Sequence, residues 1–227
     1  MTIECWVKLA GVMEWSGCVS FAQDDGPEEF GFTMSMLGAN SADNSVALGF
    51  GLATTDATSQ TVCENGRRCG MTYIGNAGPN VRRIRAGDGE WHHWAATYDG
   101  STMQLIVDGT VAVTDSTSQS GDVIYPRDDY QAMGGSLFTI GAYHDSNEYW
   151  PMLGSTDEVR IWNAALQASS LCAVNAPLPP SLLGYWKFDE HEGADVRNEV
   201  MGGSDGVLVG DIIRVGDDAA SQCSTGR

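Results

Sequence analysis

The sequence predicts an all-β sandwich of two antiparallel sheets, and two observations carry that prediction. Short alternations of apolar and polar residues recur along the chain, separated by turns rich in Gly, Asp, Asn and Ser, with 28 glycines among 227 residues. The dipeptides Asp99-Gly100 and Asp108-Gly109 supply the positive φ angles that tight hairpin turns need. The residues around these turns alternate between apolar and polar, so the segment 89–110 is predicted to form a half-buried hairpin.

The predicted elements follow one another with short connections. A single short helix, of one or two turns around 164–173, is expected before the proline-rich stretch 176–180, because proline ends a helix. By strand parity, Trp94, Trp162 and Trp186 are predicted to lie in the core. The predicted strands are 2–9, 17–22, 30–36, 45–53, 71–74, 91–98, 103–108, 137–143, 157–163, 184–188 and 206–210.

The charge balance excludes one class of partner. The chain carries 30 Asp and Glu against 12 Lys and Arg, a formal net charge of −18. Nucleic acid needs clustered cations to meet its phosphates, so nucleic-acid binding is not expected. No apolar run approaches the ~18 residues of a membrane span. The acidic excess has two explanations: a solvated, self-repelling surface, or carboxylates that converge on a hard cation such as Ca²⁺.

Six cysteines in a loop-rich chain favour disulfides and therefore a secreted protein or an oxidising lumen. Two of them flank a short polar loop, two lie on consecutive predicted strands, and the last two are left to fasten the tail. Many connectivities are open for six cysteines. The pairs that we expect are Cys63–Cys69, Cys5–Cys18 and Cys172–Cys223.

Three segments carry a resemblance to a known family. In 89–110, Trp-His-His is followed by Ala-Ala-Thr-Tyr-Asp-Gly and then by Val-Asp-Gly. The segment 138–166 holds Ser-Thr-Asp-Glu-Val-Arg-Ile-Trp, and 182–210 holds Tyr-Trp-Lys-Phe-Asp-Glu and Gly-Val-Leu-Val-Gly. Together they resemble laminin G-like jellyroll domains, which belong to the concanavalin A-like group with the pentraxins. The resemblance implies a two-sheet antiparallel jellyroll sandwich.

The order of these segments departs from the family pattern. The strands at 184–190 and 206–210 usually open such a domain, whereas here they follow the strand that normally closes it. Either the tail begins a second, truncated domain, or it folds back beside 157–163 and completes the sandwich in permuted order. We expect the second arrangement, because a stray half-domain would expose unpaired strand edges. Residues 1–227 are then one domain, with 182–215 supplying strands that complete it.

The resemblance also implies calcium. In similar jellyroll modules a structural Ca²⁺ often ties the opening strand to the closing strand, and the matching carboxylates here are Asp157 and Asp189. Asp145 matches an acidic ligand position of pentraxins, although Tyr143 stands where a further acidic ligand is expected. Strand-end aspartates that bind backbone amides are the alternative explanation of these carboxylates.

Aromatic side chains are the candidates for ligand contact, since sugars commonly stack on exposed rings. Tyr149 and Trp150 follow the acidic loop and are the leading pair, with Tyr143 and Trp6 behind them. Trp6 shares the polar parity of strand 2–9. Ordinary packing under a loop or between sheets is the alternative role for each.

The function expected is a non-catalytic extracellular module that binds glycan or a protein surface, within a multidomain or multisubunit protein. One alternative is a structural subunit that packs within a larger assembly. Another is a divergent glycoside hydrolase, but the Glu-x-Asp-x-x-Glu string of sandwich hydrolases does not occur, so no catalytic residue is assigned.

Overall fold

The structure, a computed structural model, describes residues 1–25, 28–57, 61–62, 68–75, 81–126, 137–145, 147–172, 177–216 and 219. Nearly all regular structure in these residues is β. The strands are β1 (Thr2–Leu9), β2 (Gly17–Asp25), β3 (Glu28–Asn40), β4 (Ser45–Leu48), β5 (Phe50–Ala53), β6 (Thr61–Val62), β7 (Arg68–Cys69), β8 (Met71–Ile74), β9 (Arg83–Arg85), β10 (His92–Tyr98), β11 (Met103–Val107), β12 (Thr110–Asp115), β13 (Thr139–Ile140), β14 (Ala142–His144), β15 (Tyr149–Pro151), β16 (Gly154–Trp162), β17 (Leu182–Trp186), β18 (Asp195–Val196) and β19 (Gly206–Val207).

Two antiparallel sheets form the sandwich. One has six strands in the order β12-β11-β10-β1-β16-β17. The other has seven, in the order β13-β2-β3-β4-β9, with β5 paired to β3 and β8. Three two-stranded ribbons, β14–β15, β18–β19 and β6–β7, lie outside these sheets. The all-β antiparallel jellyroll sandwich predicted from the sequence is confirmed.

The core between the sheets follows the period-2 pattern. On β1 the side chains of Ile3, Cys5 and Val7 are fully buried in the largest apolar cluster, together with residues of β2, β3, β10 and β11. Cys5 is disulfide-bonded to Cys18, which joins β1 to β2 and so ties one sheet to the other. That pairing is confirmed. Three tryptophans expected in the core, Trp94, Trp162 and Trp186, are buried.

The remaining cysteines are only partly described. Cys172 takes part in a disulfide. Cys63 and Cys223 lie outside the described residues, as does the side chain of Cys69, so the pairs Cys63–Cys69 and Cys172–Cys223 stay predictions.

The helix expected at 164–173 is shorter than predicted. Only Ala168–Ser170 form a 3-10 turn, flanked by extended residues at Gln167 and Leu171. The backbone before it is held by a side chain of β1 instead: the Thr2 hydroxyl accepts from Leu166 N at 2.9 Å and donates to Ala164 O at 2.7 Å. A helix that begins at Ala164 would use the Ala164 carbonyl for its own first hydrogen bond, whereas here that carbonyl accepts from Thr2.

The C-terminal segment joins the six-stranded sheet. β17 pairs antiparallel with β16, with Val159 opposite Trp186, the position predicted for this strand. The second predicted strand is shorter than expected, since only Gly206–Val207 are extended and they pair with β18 rather than with either main sheet. The ribbon is anchored through Val196, which is buried in the main core.

No helix in the described part of the chain is long and apolar enough to cross a membrane.

Candidate ligand-binding site

The β14–β15 hairpin carries the leading aromatic pair of the sequence prediction. Tyr149 is 59% exposed and Trp150 is 38% exposed. In the hairpin register, Trp150 lies opposite Tyr143 and Tyr149 lies opposite His144. Because successive side chains of a strand alternate, the two rings lie on opposite faces of the hairpin and do not form one platform.

Trp150 and Glu148 make up one of these faces. They are two residues apart, and the Trp150 indole Nε1 donates to Glu148 Oε2 at 3.3 Å. Both side chains are exposed. A ring face beside a carboxylate that can accept further hydrogen bonds is suited to a polyhydroxylated ligand. On the other face, Tyr149 makes an edge contact with His144, with ring centroids 5.7 Å apart.

Asp145 fixes the loop of the hairpin. Its Oδ1 accepts from the backbone N–H of Asn147 at 3.0 Å and of Glu148 at 2.8 Å. Its Oδ2 accepts from the Tyr143 hydroxyl at 2.9 Å and from Asp24 N on β2 at 3.1 Å. The carboxylate is 2% exposed. Asp145, predicted as a calcium ligand, therefore accepts four hydrogen bonds through its two oxygens. A cation would have to displace these donors.

The hairpin packs closely on the seven-stranded sheet. Gly17 of β2 permits this approach, because a Cβ there would lie 2.9 Å from Tyr143 N. Tyr143 is buried against Ala22, Ala53 and Met71. Tyr143 thus supports the hairpin from below. The sequence predicted that its ring contacts a ligand, and this prediction is wrong because the ring is buried.

An acidic surface lies beside the Trp150 face. Burial raises the pKa of the Tyr73 hydroxyl on β8, and the carboxylates of Glu29, Asp24 and Glu148 raise it further. Glu29, Asp24 and Glu148 therefore all act on the Tyr73 hydroxyl. Glu148 belongs both to this acidic surface and to the Trp150 face. This negative field favours a neutral or cationic ligand over an anionic one.

Trp6 is not available as a ligand platform. The sequence prediction placed it on the polar face of β1, and it does lie on that side of the strand, but it is 7% exposed. Its ring packs against His93 with centroids 5.2 Å apart. The outer face of the six-stranded sheet is covered at this point, which strand parity alone does not indicate.

Asp157 and Asp189 are the calcium pair predicted from the sequence. Asp157 is buried and accepts from the next backbone N–H at 2.9 Å and from Ala219 N at 2.8 Å. Asp189 is exposed. Burial raises the pKa of Tyr185, Arg160 lowers it in part, and both aspartates raise it again, so both act on the same phenol. Within the described ranges, no group of three or more His, Cys, Asp or Glu side chains is arranged to hold a metal.

A buried charged network occupies the outer face of the six-stranded sheet. We use this name for Glu4, His93, Glu158, Arg160 and Tyr185, all buried. His93 Nε2 donates to Glu4 Oε2 at 2.8 Å, and Arg160 pairs with Glu158. The Tyr185 hydroxyl donates to Glu158 at 2.8 Å, and Arg160 NH1 lies 3.8 Å from Glu4 Oε1.

The buried charged network lowers the pKa of Glu4. Burial works to raise the pKa of Glu4, but the hydrogen bond from His93, the coulombic interactions with His93 and Arg160 and the hydrogen bond from Cys172 N leave it below its ordinary value. A lowered folded-state pKa stabilises the fold above the unfolded value of about 4.3, and this contribution is lost as the pH falls through the folded value. Because Glu4 and Glu158 are both buried, they do not form an accessible pair for glycoside hydrolysis.

A cleft among the described residues was not anticipated from the sequence. It measures about 1000 Å³ and opens between the two sheets beside β17. Two of its polar side chains bind backbone groups: Asp99 Oδ1 accepts from Ser101 N and Thr102 N, and Asn198 Oδ1 accepts from Tyr185 N. Phe138 stacks on Trp186 with ring centroids 5.3 Å apart. The apolar walls are Phe32, Val123, Tyr125, Phe138, Ile161, Leu183 and Trp186.

Two antiparallel sheets packed on one core, a disulfide that joins them, and strand β16 paired with the first strand define a jellyroll β-sandwich. The family model of the concanavalin A-like lectin/glucanases superfamily, of laminin G type, matches residues 1–172. The chain therefore belongs to this family. No curated protein matches its sequence.

Solved structures share the fold at low identity. A protein from Bacteroides ovatus, described as carbohydrate binding, is 18% identical with a TM-score of 0.58, over 91% of this chain and 50% of its own. The chain thus spans half the length of that protein. Domain 4 of a GH43 extracellular arabinanase from Geobacillus stearothermophilus, in complex with arabinotriose, is 16% identical with a TM-score of 0.43, over 74% of this chain and 62% of its own. A heptameric SAP-like pentraxin from Limulus polyphemus is 19% identical with a TM-score of 0.43, over 92% and 81%.

Proposed function

We propose that this chain is a secreted, non-catalytic glycan-binding module, and that its ligand docks on the Trp150 face of the β14–β15 hairpin. The observation that carries the proposal is a 38% exposed indole, held by a carboxylate on a loop that buried Asp145 fixes with four hydrogen bonds. An aromatic ring in a fixed orientation loses little entropy when a sugar stacks on it. Membership of a lectin and glucanase family supports a glycan as the ligand.

The chemistry of the surface narrows the ligand class. Glu148 accepts from the Trp150 indole through Oε2, so its other oxygen is placed to accept from a sugar hydroxyl. Asp24 and Glu29 add negative charge beside it. Neutral glycans are therefore favoured over sulfated or sialylated ones, whose charges this surface would repel. The description of the Bacteroides protein as carbohydrate binding agrees with this class of ligand.

The alternative of a structural subunit is favoured by a different observation, the cleft beside β17, whose lining is mostly apolar. The hydrolase alternative has less support, because the buried charged network lies beneath the covered outer face of the six-stranded sheet. The disulfide between Cys5 and Cys18 supports secretion, since such bonds persist in oxidising compartments.

The glycan proposal is tested on an array that contains neutral, sulfated and sialylated glycans, followed by calorimetric titration with the best neutral glycan. Trp150→Ala is expected to weaken binding at least about tenfold, because a stacking contact of about 1.4 kcal/mol is lost. The matched control is Tyr149→Ala, which removes an adjacent and more exposed ring from the opposite face. Binding that survives Trp150→Ala but fails in Tyr149→Ala would move the site to the other face, and no neutral glycan bound at all would remove the proposal.

Calcium is proposed as a stabiliser of the strand pair β16–β17 through Asp189 and Asp157. Calcium that binds only the folded protein raises the melting temperature by about 2–4 °C per kcal/mol of linkage. Asp189→Asn is expected to abolish the difference in melting temperature between calcium and chelator. The Asp189 carboxylate is exposed, so its replacement is not expected to disturb the core. Asp211→Asn, a second exposed aspartate, is the control and keeps that difference. Equal melting of the wild type in calcium and in chelator would contradict calcium binding.

A further inference from the structure

The segment after β19 presents branched apolar side chains to solvent. Val209 is 75% exposed and Ile213 is 80% exposed, and three more residues of this stretch are more than half exposed. Singly exposed apolar residues are ordinary, but a contiguous set marks a contact surface. We call this set the apolar loop; its members are Val207, Val209, Ile212, Ile213 and Val215.

The apolar loop is held in place at both ends. At its start, Leu208 N donates to Ala194 O at 2.7 Å, and the Leu208 side chain packs against the main core. At its end, the Arg214 guanidinium pairs with Glu190 at 3.1 Å and donates to Asp195 O at 2.9 Å. The exposed side chains are therefore presented in a fixed position, which lowers the entropy cost of docking.

The cleft beside β17 is the complementary feature. Three of its wall residues, Tyr125, Phe138 and Leu183, are exposed apolar side chains. Most of its lining side chains are apolar, and two of its polar members, Asp99 and Asn198, already bind backbone groups. Of the exposed large apolar side chains in the described residues, eight lie either in the apolar loop or on the cleft wall. Within the part of the chain that the structure describes, one molecule thus holds both an apolar cleft and an exposed apolar loop.

The two features are neighbours on one side of the molecule. Asn198 and Ser204 line the cleft, and they are bonded through Asn198 Nδ2 and Ser204 O at 3.3 Å. Asp205, whose carboxylate accepts from Asn198 N at 2.8 Å, directly precedes β19 and the apolar loop. In a two-fold dimer, each copy uses the same surface, so the apolar loop and the cleft must lie close together on that surface. The contacts of Asn198 with Ser204 and Asp205 place them so.

We propose that two copies of this chain form a reciprocal dimer, in which the apolar loop of each copy fills the cleft of the other. Five loop side chains and the opposing cleft walls, counted twice, reach the order of 1,000 Å² that a specific interface needs. Dissociation constants in the micromolar range are expected for an interface of this size. Because each chain carries a charge of −18, the dimer strengthens as salt screens the repulsion.

The test is sedimentation velocity of the full chain over a concentration series at low and high salt. The wild type is expected to dimerise, more tightly at high salt. Ile213→Asp in the loop and Leu183→Asp in the cleft are each expected to give monomers. Both side chains are exposed, so neither change disturbs the core, and thermal unfolding checks this. Val111→Asp, on the exposed edge strand β12, is the matched control and leaves the dimer intact.

Mixing the two variants tests reciprocity. A mixture of Ile213→Asp and Leu183→Asp retains one intact contact, from the loop of the second to the cleft of the first, and is expected to recover part of the dimer. A wild type that stays monomeric at about 100 μM, where a micromolar complex would be formed, would overturn the proposal. So would dissociation by Val111→Asp with a dimer preserved in Ile213→Asp, which would place the contact at β12. Open-ended polymers in place of dimers would overturn the reciprocal arrangement.

Discussion

Replacing Arg160 by Met is expected to lower the free energy of unfolding by about 3–5 kcal/mol, because it leaves the buried Glu158 without its cation and buried Glu4 with His93 alone. Arg160 is 2% exposed. Its guanidinium pairs with Glu158, lies 3.8 Å from Glu4 Oε1 and stacks on the Tyr185 ring at 4.4 Å. Methionine fills much of the same volume, so the loss reports charge rather than a cavity. Urea unfolding monitored by tryptophan fluorescence measures it.

Two controls separate this explanation from a general effect of removing arginine. Arg197→Ala removes a guanidinium whose side chain is 74% exposed and lies 3.8 Å from Glu199, and it is expected to cost about 1 kcal/mol or less. The double variant Glu158→Gln/Arg160→Met removes both partners and is expected to be more stable than Arg160→Met. The deficit of the single variant also shrinks at acid pH, since protonation neutralises the stranded carboxylates. A deficit equal to that of Arg197→Ala would show that the network contributes no stability.

The double variant Cys5→Ala/Cys18→Ala is expected to lose about 3 kcal/mol of unfolding free energy, since the bridge closes a loop with a sequence separation of 13. The bridge restrains the unfolded chain, so its removal also exposes more surface on unfolding. The slope of the free energy against urea concentration is therefore expected to increase. Equilibrium urea titration gives both quantities at once.

Val7→Ala is the control for the disulfide variant. Val7 is fully buried on the same face of β1, and its truncation removes packing without touching a cross-link. It is expected to lower stability with an unchanged slope. If the double cysteine variant unfolds with the wild-type free energy and slope, the Cys5–Cys18 bridge is not formed in solution, and the argument for an oxidising compartment loses its main support.

Local patterns were sufficient for most of the fold. Period-2 alternation placed β1, β10, β11 and β16 within a few residues, because burial on one face of a strand is written into neighbouring positions. The Asp-Gly turns were equally local, with positive φ at Asp108, Gly109 and Gly100. The helix predicted at 164–173 is wrong beyond one 3-10 turn, because the Ala164 carbonyl accepts from Thr2, which is 162 residues away along the chain.

The candidate site was predictable only in part. Exposure of Tyr149 and Trp150 followed from their place after an acidic loop, but their separation onto two faces depended on the register with His144 and Tyr143. Asp145 looked like a cation ligand by resemblance, whereas its oxygens bind the hairpin and Asp24, 121 residues away. The cleft could not be predicted from local patterns, because its apolar walls come from five segments that are distant in sequence.

The sequence alone was therefore sufficient to predict the strands, the turns and the family motif, because each depends on residues that are close in sequence. Other features depended on the pairing of distant strands. These are the burial of carboxylates with a cation, the exposure of particular aromatic rings and the position of the cleft. Contacts across such pairings are set by register and layer packing, and a shift of one residue would turn every side chain to the other face.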